Sequence, residues 1–246
     1  MTLEQLEALS ETQRAHKVLV VQDPFTSFYE AKLVHDFIRL IEKLGYQPVL
    51  LPFSPNGKAQ HVKGFLQRFA RTASKTADFL NRVAKLGMPM VGIDPATVLC
   101  YRDEYHQMLG EARGDFNVLL VHEWLHQALQ EREVQVTSGE AWYLFAHCTE
   151  VTALPGTPGQ WQAIFSRFGA KLENINVGCC GMAGTYGHES QNLENSLGIY
   201  ALSWHPQLQK LPRQRCLATG FSCRSQVKRV EGNGMRHPLQ ALLELI

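Results

Sequence analysis

The chain has 246 residues, with 24 Lys and Arg against 23 Asp and Glu for a formal net charge of +1. Hydrophobic residues make up 45% and charged residues 19%, a composition with enough apolar surface to bury a sizeable core. This balance excludes nucleic-acid binding driven by a basic excess, and no acidic block marks a disordered tail. No apolar run approaches the ~20 residues of a membrane span. The polar start, with Glu4, Glu7 and Glu11, lacks the apolar segment of a signal peptide. The expected compartment is the cytoplasm, with peripheral attachment at the inner membrane allowed.

In chain order, Val18-Leu19-Val20-Val21 reads as a buried strand stopped by Asp23-Pro24. Glu30 to Leu44 carries apolar residues at helical spacing and closes at Gly45. Val49-Leu50-Leu51 is a second strand, Val62 to Leu86 a helix, and Met90-Val91-Gly92-Ile93 a third strand ending at Asp94-Pro95. Asn117 to Gln130 reads as an amphipathic helix and Gln135 to Gly139 as a turn. Beyond these come a strand at Trp142 to Phe145, a helix at Gln160 to Phe168 and a strand at Leu172 to Val177. A helix from Glu189 to Trp204, a strand from Cys216 to Thr219 and a helix from Cys223 to Val230 complete the order. Strands alternating with helices imply an α/β fold of short parallel sheets flanked by helices.

The order repeats. Residues 1–116 form one expected lobe, 117–139 a connecting helix and turn, and 140–246 a second lobe. Asp23-Pro24-Phe25-Thr26 in the first falls where His147-Cys148-Thr149 falls in the second. Pro55-Asn56-Gly57 matches Gly178-Cys179-Cys180-Gly181, and Cys100-Tyr101-Arg102 matches Cys223-Arg224. The expectation is a diverged duplication whose first lobe is depleted of cysteine. The aromatic group Phe25, Phe28 and Tyr29 and the stripe Phe65 and Phe69 are expected in the core.

Five of the six cysteines, Cys148, Cys179, Cys180, Cys216 and Cys223, lie in the last hundred residues. A reducing compartment disfavours a disulfide set and favours metal or redox chemistry. Each lies at or near the carboxyl end of an expected strand, and those ends share one edge of a parallel sheet. Thiolates gathered there suit iron–sulfur clusters or zinc. Gly178, Gly181, Gly184 and Gly187 allow close backbone approach, so that amide N–H groups can point at sulfur. A helix starting at Glu189 would add its positive end. Cys100, alone in its lobe, reads as a small buried hydrophobe.

The run VGCCGMAGTYGHE, with HCTEVT before it and CLATGFSCRSQVKR after it, resembles the cysteine-rich CCG domain. That domain occurs in heterodisulfide reductase and in the iron–sulfur subunits of glycolate oxidase and anaerobic glycerol-3-phosphate dehydrogenase. From about Lys17 onward, the chain resembles the C-terminal portion of large bacterial FAD-linked D-2-hydroxyacid dehydrogenases of the D-lactate and D-2-hydroxyglutarate type. The resemblance implies oxidation of a D-2-hydroxyacid, with electrons leaving a flavin through a cysteine-held cluster of the 4Fe-4S type. It also implies that FAD-binding and ferredoxin-like domains lie on polypeptide outside this stretch, so that this chain alone does not turn over substrate. Cys148, Cys179, Cys180 and Cys223 fall on the family pattern. That pattern ends in Cys-x-x-Cys, whereas here Gly220 stands three residues before Cys223, leaving Cys216 as a displaced ligand or a neighbour.

Two other readings stand beside this one. Zinc or no metal at the cysteine site would make the chain a structural or docking module. His122-Glu123-Trp124-Leu125-His126 fits H-E-x-x-H, a zinc-peptidase pattern with Glu123 as base. A third ligand is not evident for it, Glu140 and Glu150 standing in no second motif. His147 and His188 are candidates to hydrogen-bond sulfur. Arg224 to Arg229 reads as a solvated basic helix face able to steer an acidic partner.

Overall fold

The β-branched run at Val18 builds the centre of the first sheet in the computed structural model, which describes residues 2–130, 139 and 141–246. Strand β1 (Lys17–Val21) lies between β2 (Gln47–Leu50) and β3 (Met90–Gly92), and β4 (Val118–Leu120) pairs with β3, all parallel. Val18, Leu19 and Val20 are buried, as expected of a central strand covered on both faces. The helix Ala31–Lys43 buries Leu33, Val34, Phe37, Leu40 and Ile41 on one side. Gly45 then turns the chain with a positive φ of 85°.

The chain divides into two compact units, Met1–Trp124 and Leu125–Ile246. In the second, β5 (Trp142–Phe145) lies between β6 (Leu172–Asn174) and β7 (Cys216–Ala218), again all parallel. Both sheets place their first strand between the second and the third. Trp161, Phe165, Phe145, Tyr200 and Trp204 fill the second core, and Cys180, Cys216 and Cys223 pack with the last three.

Several sequence expectations shift. Asn117 to Gln130 is not one helix: Val118–Leu120 pairs with β3, Met90 opposite Val118, and only Val121–Ala128 is helical. A short aliphatic run suits a buried strand and a buried helix equally, and the open edge of β3 decides. The stretch 62–86 breaks at Gly64, with φ of 76°, into helices Lys58–Val62 and Leu66–Ala84. The helix expected from Glu189 starts at Leu193, because residues 186–192 form two 3₁₀ turns. Phe69 is buried, but Phe28, Tyr29 and Phe65 are exposed. The turn expected at Gln135 to Gly139 and the residue Glu140 lie outside the described residues, Gly139 excepted.

Candidate functional site: a row of sulfurs at a sheet edge

Three turns leave the carboxyl edge of the second sheet, and each carries cysteine. After β5, His147 caps the helix Cys148–Ala153. After β6 the chain runs to Cys179 and Cys180. After β7, Gly220 caps the helix Phe221–Glu231, which holds Cys223 in its first turn. The Cys148 thiol hydrogen-bonds to Cys179, Cys179 to Cys180, and Cys180 to Cys223. Four sulfurs from three separate stretches therefore meet in one row.

Their proton affinities diverge. Hydrogen bonds from Cys148 and then Cys180 pull the Cys179 thiol far below its ordinary value. Burial opposes them, while the Gly181 N–H, 3.3 Å from the sulfur, and His147 add to them. The Cys148 thiol is pushed up, first by donating to Cys179, then by burial and by the charges of Cys179 and Cys223. Cys180 is pushed up by its bonds to Cys179 and Cys223 and by burial. Cys179 is thus the thiol of the row that gives up its proton most readily. Cys148 and Cys179 also line a cavity of about 280 Å³ with Asn174, Asn176 and Thr152.

Cys216 sits at the start of β7, the strand that leads to Cys223. It opens β7 opposite Tyr143, and its thiol donates to the Pro212 carbonyl at 3.6 Å. Burial raises it to about 11. Cys100, in the first unit, is buried and raised to about 12 by burial and then by Glu104. It is six residues past the capping Asp94, whereas Cys223 is three past Gly220, so Thr97 is its positional counterpart.

The turns are tied together by polar residues in roles that the sequence did not show. The Thr219 hydroxyl accepts from the His147 N–H at 2.9 Å and donates to buried Glu150. The Arg224 guanidinium donates to the Ala218 and Thr219 carbonyls at 3.0 and 2.8 Å. Only 2% exposed, Arg224 is no solvated charge. The His147 ring packs on Gly220, where a Cβ would lie 2.3 Å from its Cδ2, and its Nε2 is 3.3 Å from the Ser222 hydroxyl. Gly181 has φ of 85°, and a Cβ there would lie 2.1 Å from the Ser196 carbonyl. Gln226 donates to that carbonyl at 3.3 Å, and Arg229 reaches the Ser196 hydroxyl and the Gly187 carbonyl. Trp204 Nε1 donates to Gly178 at 2.9 Å. His188 is exposed at the end of a 3₁₀ turn.

The H-E-x-x-H helix is used differently. Glu123 receives Arg102 through both oxygens at 2.9 and 2.5 Å and accepts from the Leu120 N–H at 2.8 Å. Its carboxylate is an ion-pair and helix-end partner, and His122 is buried. Among the described residues, no three His, Cys, Asp or Glu side chains surround one point as ligands to a single metal ion. A cluster does not require that, because its cysteine ligands are spread over several irons, whereas zinc needs sulfurs at about 2.3 Å around one centre. Four sulfurs gathered in a glycine-rich cradle fit the former.

The fold and site define an open parallel α/β protein with a cysteine-lined sheet edge. Over its whole length the chain is similar to D-2-hydroxyglutarate dehydrogenases. It is 75% identical over 246 residues to the protein of Escherichia coli (strain K12) and 54% over 253 residues to that of Haemophilus influenzae. It spans about a quarter of those relatives, 24% and 25%, in their C-terminal part. It is also 20% identical over 244 residues to one of the subunits of the anaerobic glycerol-3-phosphate dehydrogenase of E. coli, covering 97% of this chain and 61% of that one. A crystal structure of a hypothetical protein from Helicobacter pylori shares the fold, with a TM-score of 0.55 at 11% identity over 93% of this chain and 48% of that one. No family model matches the chain.

Proposed function

We propose that this chain is the iron–sulfur electron-transfer portion of an FAD-linked oxidoreductase acting on a D-2-hydroxyacid, with Cys148, Cys179, Cys180 and Cys223 holding the cluster. The observation that carries the reading is the row of four sulfurs centred on Cys179, whose pKa its neighbours lower. The chemistry such groups supply when bound is hydride acceptance from C2 of the acid by flavin and single-electron carriage by the cluster. This chain's own residues bind and orient. Cys179 offers a thiolate, and the Gly181 N–H donates to its sulfur, a kind of contact that tunes cluster potential. Thr219 fixes the turn bearing Cys148 against the one bearing Cys223.

Substrate class rests on the dehydrogenase relatives, and the iron–sulfur role draws on the likeness to the anaerobic glycerol-3-phosphate dehydrogenase. The FAD-binding and ferredoxin-like domains belong to the remainder of the enzyme, and no helix among the described residues is long and apolar enough to cross a membrane. The common strand order of the two sheets supports a duplication whose second copy retained the site. Replacing Cys179 and Cys180 with Ser in the flavin-loaded enzyme tests the assignment. The expected result is normal flavin reduction by substrate, a folded chain and no onward electron flow. Lost folding of this chain with unchanged flavin reduction would instead make the site structural.

A further inference from the structure

Among the described residues, seven of the twelve exposed large apolar side chains fall between residues 28 and 66, including all four aromatic ones, Phe28, Tyr29, Phe53 and Phe65. Exposed aromatic residues gathered on one surface mark interfaces more than core defects. Phe28, Tyr29 and Phe53 follow the carboxyl ends of the first sheet's strands, and Phe65 starts the long helix that comes after them. Phe28 and Tyr29 end the helix Pro24–Tyr29 that follows β1, and Phe53 lies in the loop that follows β2. The Phe28 and Phe53 rings touch edge to face with centroids 5.1 Å apart, yet are 67% and 38% exposed. The same loop ends at Gly57, which presses on Phe69 of the helix Leu66–Ala84. That helix begins beside Phe65 and Leu66, 55% and 48% exposed.

The charge around Phe53 and Phe65 is mainly basic. Residues 44–77 contain five Lys and Arg and no Asp or Glu, in a chain of net charge +1; Lys58 is paired with Glu104, so the basic excess lies with the others, Arg68, Arg71 and Lys75 among them. The Arg68 guanidinium lies over the Phe65 ring at 5.6 Å. The matching surface is therefore apolar with an acidic rim. The dehydrogenase relatives are about four times as long as this chain, so the polypeptide outside it is large enough to supply such a face. We propose that the carboxyl edge of the first sheet and the start of that long helix, through Phe28, Tyr29, Phe53 and Phe65, dock an apolar, acidic-rimmed face of the flavin-bearing remainder of the dehydrogenase. This rests on the proposed function for the partner's identity and on the exposed aromatics for the surface.

Hydroxyl-radical footprinting of the 246-residue chain and of the full-length dehydrogenase tests it. At least fivefold slower oxidation of the four aromatics in the full-length protein is expected, with Leu202, 81% exposed on the second unit, changing less than twofold. Phe28→Glu with Phe65→Glu should restore fast oxidation of Tyr29 and Phe53 without lowering iron content. Unchanged footprints overturn the proposal. So does protection of the isolated chain that rises with its own concentration, which would mean a second copy, or protection only with anionic phospholipid vesicles, which would mean a membrane surface. Protection of the four aromatics in a full-length protein that holds no iron counts against the cluster assignment and leaves the docking surface standing.

Discussion

A thiol that receives two S–H bonds and one backbone N–H loses its proton more readily than the thiols donating to it. In metal-free chain, half-buried Cys179 is therefore expected to react with iodoacetamide near pH 6. Cys100 and Cys216, raised by burial to about 12 and about 11, should stay unmodified until the chain unfolds. Peptide mass spectrometry after a short native pulse measures this, and a pulse that labels Cys216 before Cys179 contradicts the assignment of the thiolate. The four cysteines of the row were legible because their residue type and spacing are distinctive. Thr219, Glu150 and Ser196 were not, since Thr219 meets His147 and Glu150 across 72 and 69 positions and a lone hydroxyl or carboxylate carries no local pattern. Cys216 shows the limit of spacing. Counting residues places it near the family position, but it opens β7 while the site lies beyond that strand's other end.

At the scale of elements, two Asp-Pro turns cap helices side by side at the first sheet's edge. Asp23 accepts from the Phe25 and Thr26 N–H groups at 2.8 and 2.9 Å, and Asp94 from Thr97. Burial, then the neighbouring Asp94 carboxylate, raises Asp23 from 3.8 to about 6 despite those bonds. A carboxyl with a raised folded-state pKa stabilises the fold below its unfolded value, and that contribution disappears as pH climbs through the folded value. Asp23 thus favours the folded chain below about pH 4 and ceases to do so by about pH 6, a swing of about 3 kcal/mol at most. Asp23→Asn, which keeps an oxygen for the cap, should flatten that dependence in urea unfolding between pH 4 and 7. Parallel pH profiles for the two proteins contradict it. Strands and the longer helices were readable from periodicity. Their ends were not where a neighbour decided them, as at Val118–Leu120, drawn into the sheet by β3, and at Leu193, delayed by the turns that hold Gly187 against Ser196.

Across the whole molecule, two parallel sheets with one strand order present two carboxyl edges of contrasting chemistry. One gathers sulfur, and the other exposes aromatic rings that a sequence reading assigns to the core. Apolar residue type says what can be buried, not what buries it, so Phe28, Tyr29 and Phe65 became legible as surface only in the folded unit. The most direct measurement is anaerobic preparation of the chain followed by metal analysis and visible absorption. Several irons per chain, with broad sulfur-to-iron absorbance that disappears in the Cys179→Ser variant, is the predicted result. One zinc per chain, with no iron taken up and no such absorbance, would contradict it.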